Sequence, residues 1–469
     1  MSQTTPSKNE RTLHLHRFWG SWPAHRKIFA IALPMIISNI AAPLLGLVDT
    51  AIIGHLPDAI YLSAVALGAM VVSFIFLLAI FLRMTTTGEI ARAFGRENLA
   101  EQRQVSLHAL TFALALGATL IVLTPVLLEL AWWLIAPSDE LKGFASHYIE
   151  IRMWAAPAAL INLVVLGVLL GRQQSRHAML LVIFTNAINV TADVILILGL
   201  DMNVAGAAWA SVAAEVSTAV LGLWMIRKLL HFKQSWQLQR HYFQRFLGMN
   251  RDVFLRSLIL QLCMATMTGY AARFGDIYVA VNAVLMQFLM LISLGLDGIA
   301  YAVEALVGAA IGRGKRAEVS YWLRLTLLWS CVFALSYSSV FWLAGDQVIT
   351  LLTDLPEVIS TAQRYLPWIY VLPLLGHWSY YFDGVFIGLG YTRAMRDTMA
   401  ASALLVFAPL WCIAAFGFSK ENANHGLWLA LSGFLLARGV SQWLYLRLFA
   451  KPHTSSTHYS TSKSSSSSS

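Results

Sequence analysis

Apolar positions in this chain neither alternate nor recur once per helical turn. They run on in blocks of about twenty residues or more, separated by short polar stretches. A block of that length, coiled as a helix, crosses the roughly 30 Å hydrocarbon core of a bilayer. Twelve such spans follow one another, at 28–54, 61–85, 105–136, 149–171, 178–199, 204–229, 250–273, 278–304, 319–343, 360–389, 396–418 and 425–448. Lipid offers no partner for backbone polar groups, so each span is expected as a helix, and the fold class is an all-α integral membrane protein. Span 10, interrupted by Pro367 and Pro373, is the least regular. Residues 1–27 form a polar N-terminal tail without a continuous apolar core. Residues 451–469 are rich in Ser and Thr, cannot bury a core, and are expected as a disordered tail.

The polar stretch 230–250 divides the spans into an N-terminal lobe, 28–229, and a C-terminal lobe, 251–450, of six helices each. The lobes share a short signature: span 2 ends in Ala93-Phe94-Gly95-Arg96 and span 8 in Ala310-Ile311-Gly312-Arg313. An even number of helices per lobe makes the lobes parallel repeats, related by a pseudo-two-fold axis along the membrane normal, with a cleft between them.

Composition agrees with this reading. Apolar residues make up 58% of the 469 positions and charged residues 12%, against roughly 45–50% and roughly 25% in soluble chains. The net charge of +9 would suggest nucleic acid in a soluble protein, but the basic residues are sorted by side. Of the 33 Lys and Arg, 25 fall at the end shared by both termini and five at the other: Lys142, Arg152, Arg273, Arg364 and Lys420. The positive-inside rule then places both termini in the cytoplasm. Cys263, Cys331 and Cys412 all lie in apolar stretches and read as small hydrophobes. No phosphate-binding loop, HExxH, CxxC or TVGYG motif is present. The expectation is therefore a non-enzyme without cofactor or bound metal, neither a channel nor an ATPase, without a nucleic-acid partner.

Ionisable groups inside spans are costly and mark pathways or pairs. In the N-terminal lobe, Asp49 (span 1), Asn189 and Asp193 (span 5, one turn apart) and Ser211 (span 6) fall at similar depth, away from the termini. Asn162 in span 4 is a neighbour. Two carboxylates there require a shared proton or a cation, which is the chemistry of proton or sodium coupling, with a candidate Na+ site at Asp49, Asp193 and Asn189. Pro34 and Pro43 make span 1 a candidate hinge. The C-terminal lobe holds Arg256, Asp297, Glu304, Asp383 and Arg438 within its spans, read as structural pairs. His377 reads as a core histidine.

The stretch LPMIISNIAAPLLGLVDTAIIGHL, the N-x-x-x-D pattern of span 5 and LDGIAYAVEALVGAAIGRG resemble the multidrug and toxic compound extrusion (MATE) family, and within it the DNA-damage-inducible protein F branch. The resemblance runs from about Ile28 to Leu448. It implies a two-lobed, V-shaped antiporter of the bacterial inner membrane, working as a monomer. Such a protein expels cationic or amphipathic compounds against inward H+ or Na+. Carried over, Asp49 matches the family's cation-binding aspartate, Asn189, Asp193 and Ser211 its partners, Pro34 the bend of span 1, and Asn162 more loosely. The sodium-coupled NorM-like branch carries an acid in span 7, where this chain has Arg256, so coupling is expected through the N-terminal lobe. Two alternatives are a lipid-linked precursor flippase of the wider superfamily and a membrane-embedded transferase. The acidic N-terminal cluster argues against the first, and the isolated carboxylates against the second.

Overall fold

A computed structural model describes residues 21–54, 58–231, 240–417 and 420–449. Among these every regular element is helical. Spans 1, 3, 6, 7, 8, 9 and 12 are single helices: Trp22–Ile53, Leu99–Ile135, Asn203–Leu230, Arg240–Ala271, Asp276–Gly312, Arg316–Leu352 and Lys420–Leu448. Three spans are broken. Span 2 is Ala59–Leu78 then Phe81–Gly95, span 4 is Asp139–Met153 then Ala156–Gly171 with a 53° bend, and span 10 is Pro356–Gln363 then Leu366–Leu389. Span 5, Ser175–Asp193, widens into a π turn over Val194–Gly199, and span 11 carries another, Ala403–Phe407, between Thr392–Ser402 and Ala408–Gly417.

Several helices outrun their apolar blocks, because hydrogen bonding continues into the headgroup zone where polar side chains are welcome. Span 1 begins at Trp22, inside the expected tail of residues 1–27, and span 7 begins at Arg240, inside the expected linker. The break in span 10 falls at Arg364–Tyr365, just ahead of Pro367, while Pro373 lies within a continuous helix. The remainder of both tails and residues 232–239 lie outside the described residues.

Among the described residues nine helices are long and apolar enough to cross a membrane, or ten with the bent pair of span 4 counted as one. Of the twelve, Leu366–Leu389 and Lys420–Leu448 stand outside that set. They carry His377 and Asp383, and Asn424, Arg438 and Gln442, all buried. Their polar residues point into the C-terminal lobe, which lowers hydropathy without exposing charge to lipid.

The shared signature is a structural symmetry. A Cβ on Gly95 would collide with the Ala309 carbonyl, and one on Gly312 with the Arg92 carbonyl, so the two helix ends cross where only glycine fits. Both ends then close alike. Glu97 (φ 55°) and Gly314 (φ 69°) take the left-handed conformation, with Asn98 N–H donating to Ala93 O at 3.1 Å and Lys315 N–H to Ala310 O at 3.3 Å. Each following arginine grips an acid on the next helix with two hydrogen bonds, Arg96 on Glu101 (2.9 and 2.6 Å) and Arg313 on Glu318 (3.0 and 2.5 Å). Arg92, Gly95, Arg96, Glu97 and Glu101 map one by one onto Ala309, Gly312, Arg313, Gly314 and Glu318 at a single sequence offset.

These contacts shut the end of the bundle that holds both termini. Arg92 donates to the carbonyls of Ile387 and Gly388 (2.9 Å each), and Arg83 reaches Glu304 of the other lobe at 3.3 Å. His25 accepts from the Trp329 indole at 3.0 Å, and Thr85 bonds Asn250 at 2.7 Å. One apolar core, including Leu82, Ile90, Leu169, Leu306 and Phe386, runs through both lobes here. Farther out each lobe keeps a separate core, around Tyr148 and Ile197 in the N-terminal lobe and around Phe288, Trp428 and Phe434 in the C-terminal lobe. Two lobes joined at one end and separately packed at the other enclose a V.

Candidate functional site

Span 1 is tied along its length to span 5. Pro34 has no N–H for the Ala30 carbonyl, and Ser175 Oγ donates to that oxygen instead, at 2.8 Å. Farther along, Asn186 Nδ2 donates to Ala41 O at 3.0 Å. This seam sets the register that brings Asp49, about 6 Å from the helix end, beside Asp193. Span 1 is one continuous helix through Pro34 and Pro43, and Ser38 Oγ donates to Pro34 O at 2.9 Å.

Asp193 is buried at the step from α to π geometry in span 5. Such a step re-aims the side chains around it and is frequent at functional sites. Gly206 of span 6 packs closely on Leu196 and Ile197 within the π turn. Asn189 Nδ2 donates to Asp193 Oδ2 at 3.0 Å, leaving the amide oxygen free. The carboxyls of Asp49 and Asp193 lie within hydrogen-bond reach of each other. Two carboxylates in contact must share a proton or hold a cation between them. Asp49 Oδ1 is buried without a partner, and no ion pair to either acid forms among the described residues.

Span 4 supplies the side of the site that the sequence did not announce. Tyr148 is buried, seats its ring against Gly68 of span 2, and its hydroxyl is within hydrogen-bond reach of Ser211 and Arg152. Arg152 lies within electrostatic range of Asp49 and stacks 5.7 Å over Phe76, with its Nη1 buried and unpartnered. Asn162 makes its bonds elsewhere: its Nδ2 donates to Glu215, to the carbonyl at 3.0 Å and the carboxylate at 2.7 Å, one turn beyond Ser211, while its Oδ1 is buried without a partner. Arg152 lies within span 4 as read from the sequence, 149–171, but near its outer end, and counted there only as a charge of that side, while Tyr148 falls one residue ahead of the span. The helix continues through both residues and bends only at Trp154–Ala155. Tyr148 and Arg152, one turn apart, are the signal that was available.

Among the described residues no three His, Cys, Asp or Glu side chains gather as ligands for a metal ion. The oxygens of Asp49, Asp193 and Asn189 form a set of hard donors, suited to a proton or a transported sodium ion rather than a transition metal.

The C-terminal lobe arranges its charges differently. Asp383 receives Arg256, Arg438 (2.7 Å) and Gln442 (3.2 Å), so both carboxylate oxygens are bonded. The structural pair expected for Arg256 is with Asp383. Glu304 pairs instead with Arg83 of the other lobe. Asp297 lies among Arg83, Arg256, Arg438 and Asp383 without a close ion pair of its own. His377 is buried against Ser330, at 3.2 Å.

A helical bundle of two parallel repeats, closed at one end, with a carboxylate pair inside one lobe that no salt bridge ties down, defines a membrane transporter of the alternating-lobe kind. The MatE family model matches residues 34–195 and 253–412, one copy per lobe. The chain belongs to the MatE family, that of multidrug and toxic compound efflux transporters. It is 43% identical over 424 residues to DNA damage-inducible protein F of Escherichia coli (strain K12), covering 89% of this chain and 90% of the relative. A solved MATE structure in the bent conformation superposes with a TM-score of 0.80 at 21% identity, over 90% of this chain and 94% of its own. An outward-facing MATE transporter does so with a TM-score of 0.78 at 22% identity, over 90% and 94%. The twelve-helix, two-lobed architecture is therefore that of the MATE fold.

Proposed function

We propose that the chain is a secondary antiporter of a bacterial inner membrane. It exchanges amphipathic or cationic organic compounds, moving outward, for protons or sodium ions moving inward through the N-terminal lobe. The observation that carries this is the closeness of the Asp49 and Asp193 carboxyls, with no salt bridge to either among the described residues and Arg152 only within electrostatic range of Asp49. A pair of that kind binds a mobile cation, and a substrate cation competes for the same charge. The 25-to-5 division of basic residues supports placing the closed, terminal end in the cytoplasm, so the V opens outward. The protein works as a monomer.

In this cycle a proton or sodium ion removes the net charge of the pair and the hold of that charge on a bound organic cation. Span 1, already short of backbone bonds at Pro34 and Pro43, bends against span 5 as the pair changes state. Return of the cleft to the cytoplasm requires the Gly95–Gly312 crossing and the Arg92 and Arg83 bridges to part. Spin labels on the outer ends of spans 1 and 5 should report a distance that changes between acidic and alkaline pH, and the change should vanish in Asp49→Asn. A distance that ignores pH while transport continues would remove the bending of span 1 from the mechanism. Proteoliposomes loaded with a fluorescent cation and given an imposed pH or sodium gradient test the function as a whole. Gradient-driven efflux is expected; its absence under both gradients would refute the reading.

A further inference from the structure

A cavity of about 1020 Å³ lies away from the acid pair. It is a lateral groove between spans 2, 3 and 7, on the flank where the two lobes meet the surrounding membrane. Apolar side chains such as Phe74, Leu116 and Leu130 form its walls, and none of Asp49, Tyr148, Arg152 or Asp193 touches it. The outer part of span 2 separates the two sites: Gly68 faces Tyr148, while Met70 and Phe74 face the groove and are about half exposed. At the floor, span 2 changes helices between Leu78 and Phe81, and the Phe81 ring meets Phe254 edge-on at 5.9 Å.

Polar groups occur at one end only. Gln244, Asn250 and Arg251 line the groove where span 7 approaches the terminal face. Arg251 lies about 30 Å along the helix from Ala271, one hydrocarbon thickness, so its guanidinium sits at headgroup level. The side chain is 61% exposed and bonds Asp252 at 3.2 Å, but Asp252 is also held by Arg396 at 2.6 Å. Arg396 pairs with Asp397 as well, at 2.7 Å, so the cluster itself is balanced; of its members only Arg251 lines the groove, a guanidinium matched to an anionic headgroup.

We propose that the groove is a binding site for an anionic phospholipid of the leaflet on the terminal side. Its phosphate lies at Arg251 and its acyl chains lie along spans 2 and 3. This does not depend on which ion drives transport, and its test reads binding rather than efflux. The full chain, purified in detergent and equilibrated with equal phosphatidylglycerol and phosphatidylcholine, is examined by native mass spectrometry. A retained phospholipid is expected, with phosphatidylglycerol favoured about fivefold, the selectivity one arginine near a headgroup supplies. Arg251→Gln should bring the preference close to one. Gly248, which lines the groove and whose Cβ would meet nothing within 4 Å, can be enlarged without strain: Gly248→Trp should expel the lipid whatever its headgroup. Gly269→Trp, equally open but outside the groove, should leave binding unchanged. No retained lipid in the parent chain would overturn the proposal, as would equal loss in both tryptophan variants or an unchanged preference in Arg251→Gln. A photoreactive organic cation that labels Phe74 and is displaced by efflux substrates but not by phosphatidylglycerol would also overturn it, marking a substrate path.

Discussion

Asp193 and Asp383 are both buried aspartates in a bundle, one in each lobe, and their surroundings are opposite. Asp383 is saturated by two arginines and a glutamine, whereas Asp193 meets an amide and another acid. Depth differs as well. Asp193 is about 9 Å from the open-end terminus of its helix, and Asp383 about 26 Å. A carboxylate with two fixed guanidiniums has no reason to bind a mobile cation and every reason to hold three helices together. A carboxylate facing its like, near the opening of the V, has the reverse. Conserving the charge while changing its partners turns the same residue type from a clamp into an exchange site.

The comparison breaks most visibly if neutralising the two kinds of aspartate gives the same phenotype. Asp49→Asn should bring gradient-driven efflux to background, and Asp193→Asn nearly so, with expression and melting temperature close to the parent. Asn189→Ala should lower efflux only partly, because an amide orients its neighbours without carrying charge. Vesicle efflux and thermal unfolding, run side by side, check all three. Asp383→Asn should instead cost about 3–5 kcal/mol of stability by leaving buried guanidiniums uncompensated. The second change Arg256→Met should recover part of it, measured as yield of monodisperse protein. If Asp383→Asn stops transport in a fully stable protein, the two lobes do not differ as described.

A smaller effect is expected at the closed end. Gly95→Val or Gly312→Val forces a side chain into the opposing carbonyl and should cost about 1–3 kcal/mol, while exposing cysteine probes placed at Ala309 or Arg92 to labelling. By symmetry the two variants should behave alike. Smallest of all, Arg96→Gln and Arg313→Gln remove the related surface ion pairs and should each change stability by about 1 kcal/mol or less.

The span count and the two-fold repeat were legible because both rest on local pattern: blocks of apolar residues, and a four-residue signature that packing later turns into a reciprocal glycine crossing. Asp49, Asn189, Asp193 and Ser211 stood out because charge or amide inside an apolar block is rare. What stayed hidden needed three dimensions. Arg152 lies inside span 4 as read, 149–171, but near its far end, where it counted as a charge of that side, and Tyr148 sits one residue ahead of the span; only the fold brings both toward the acids. Asn162 was placed beside the acids by depth alone, yet its amide is bonded to Glu215 of span 6. Glu304 was assigned to its own lobe, although Arg83 meets it across the interface; no sequence distance encodes that contact. The break in span 2 carries no proline, and its neighbours Leu78 to Phe81 are apolar throughout.

The central claim is that the Asp49–Asp193 pair is where the driving cation enters and leaves. Its most direct test is to reconstitute the parent chain and the Asp49→Asn/Asp193→Asn double variant in vesicles containing a fluorescent cation and a pH-sensitive dye. Cation efflux and counter-movement of protons are recorded together, with and without a sodium gradient. The account predicts stoichiometrically linked fluxes, driven by one gradient or the other in the parent and by neither in a folded double variant. Linked fluxes of normal size in the double variant would contradict it.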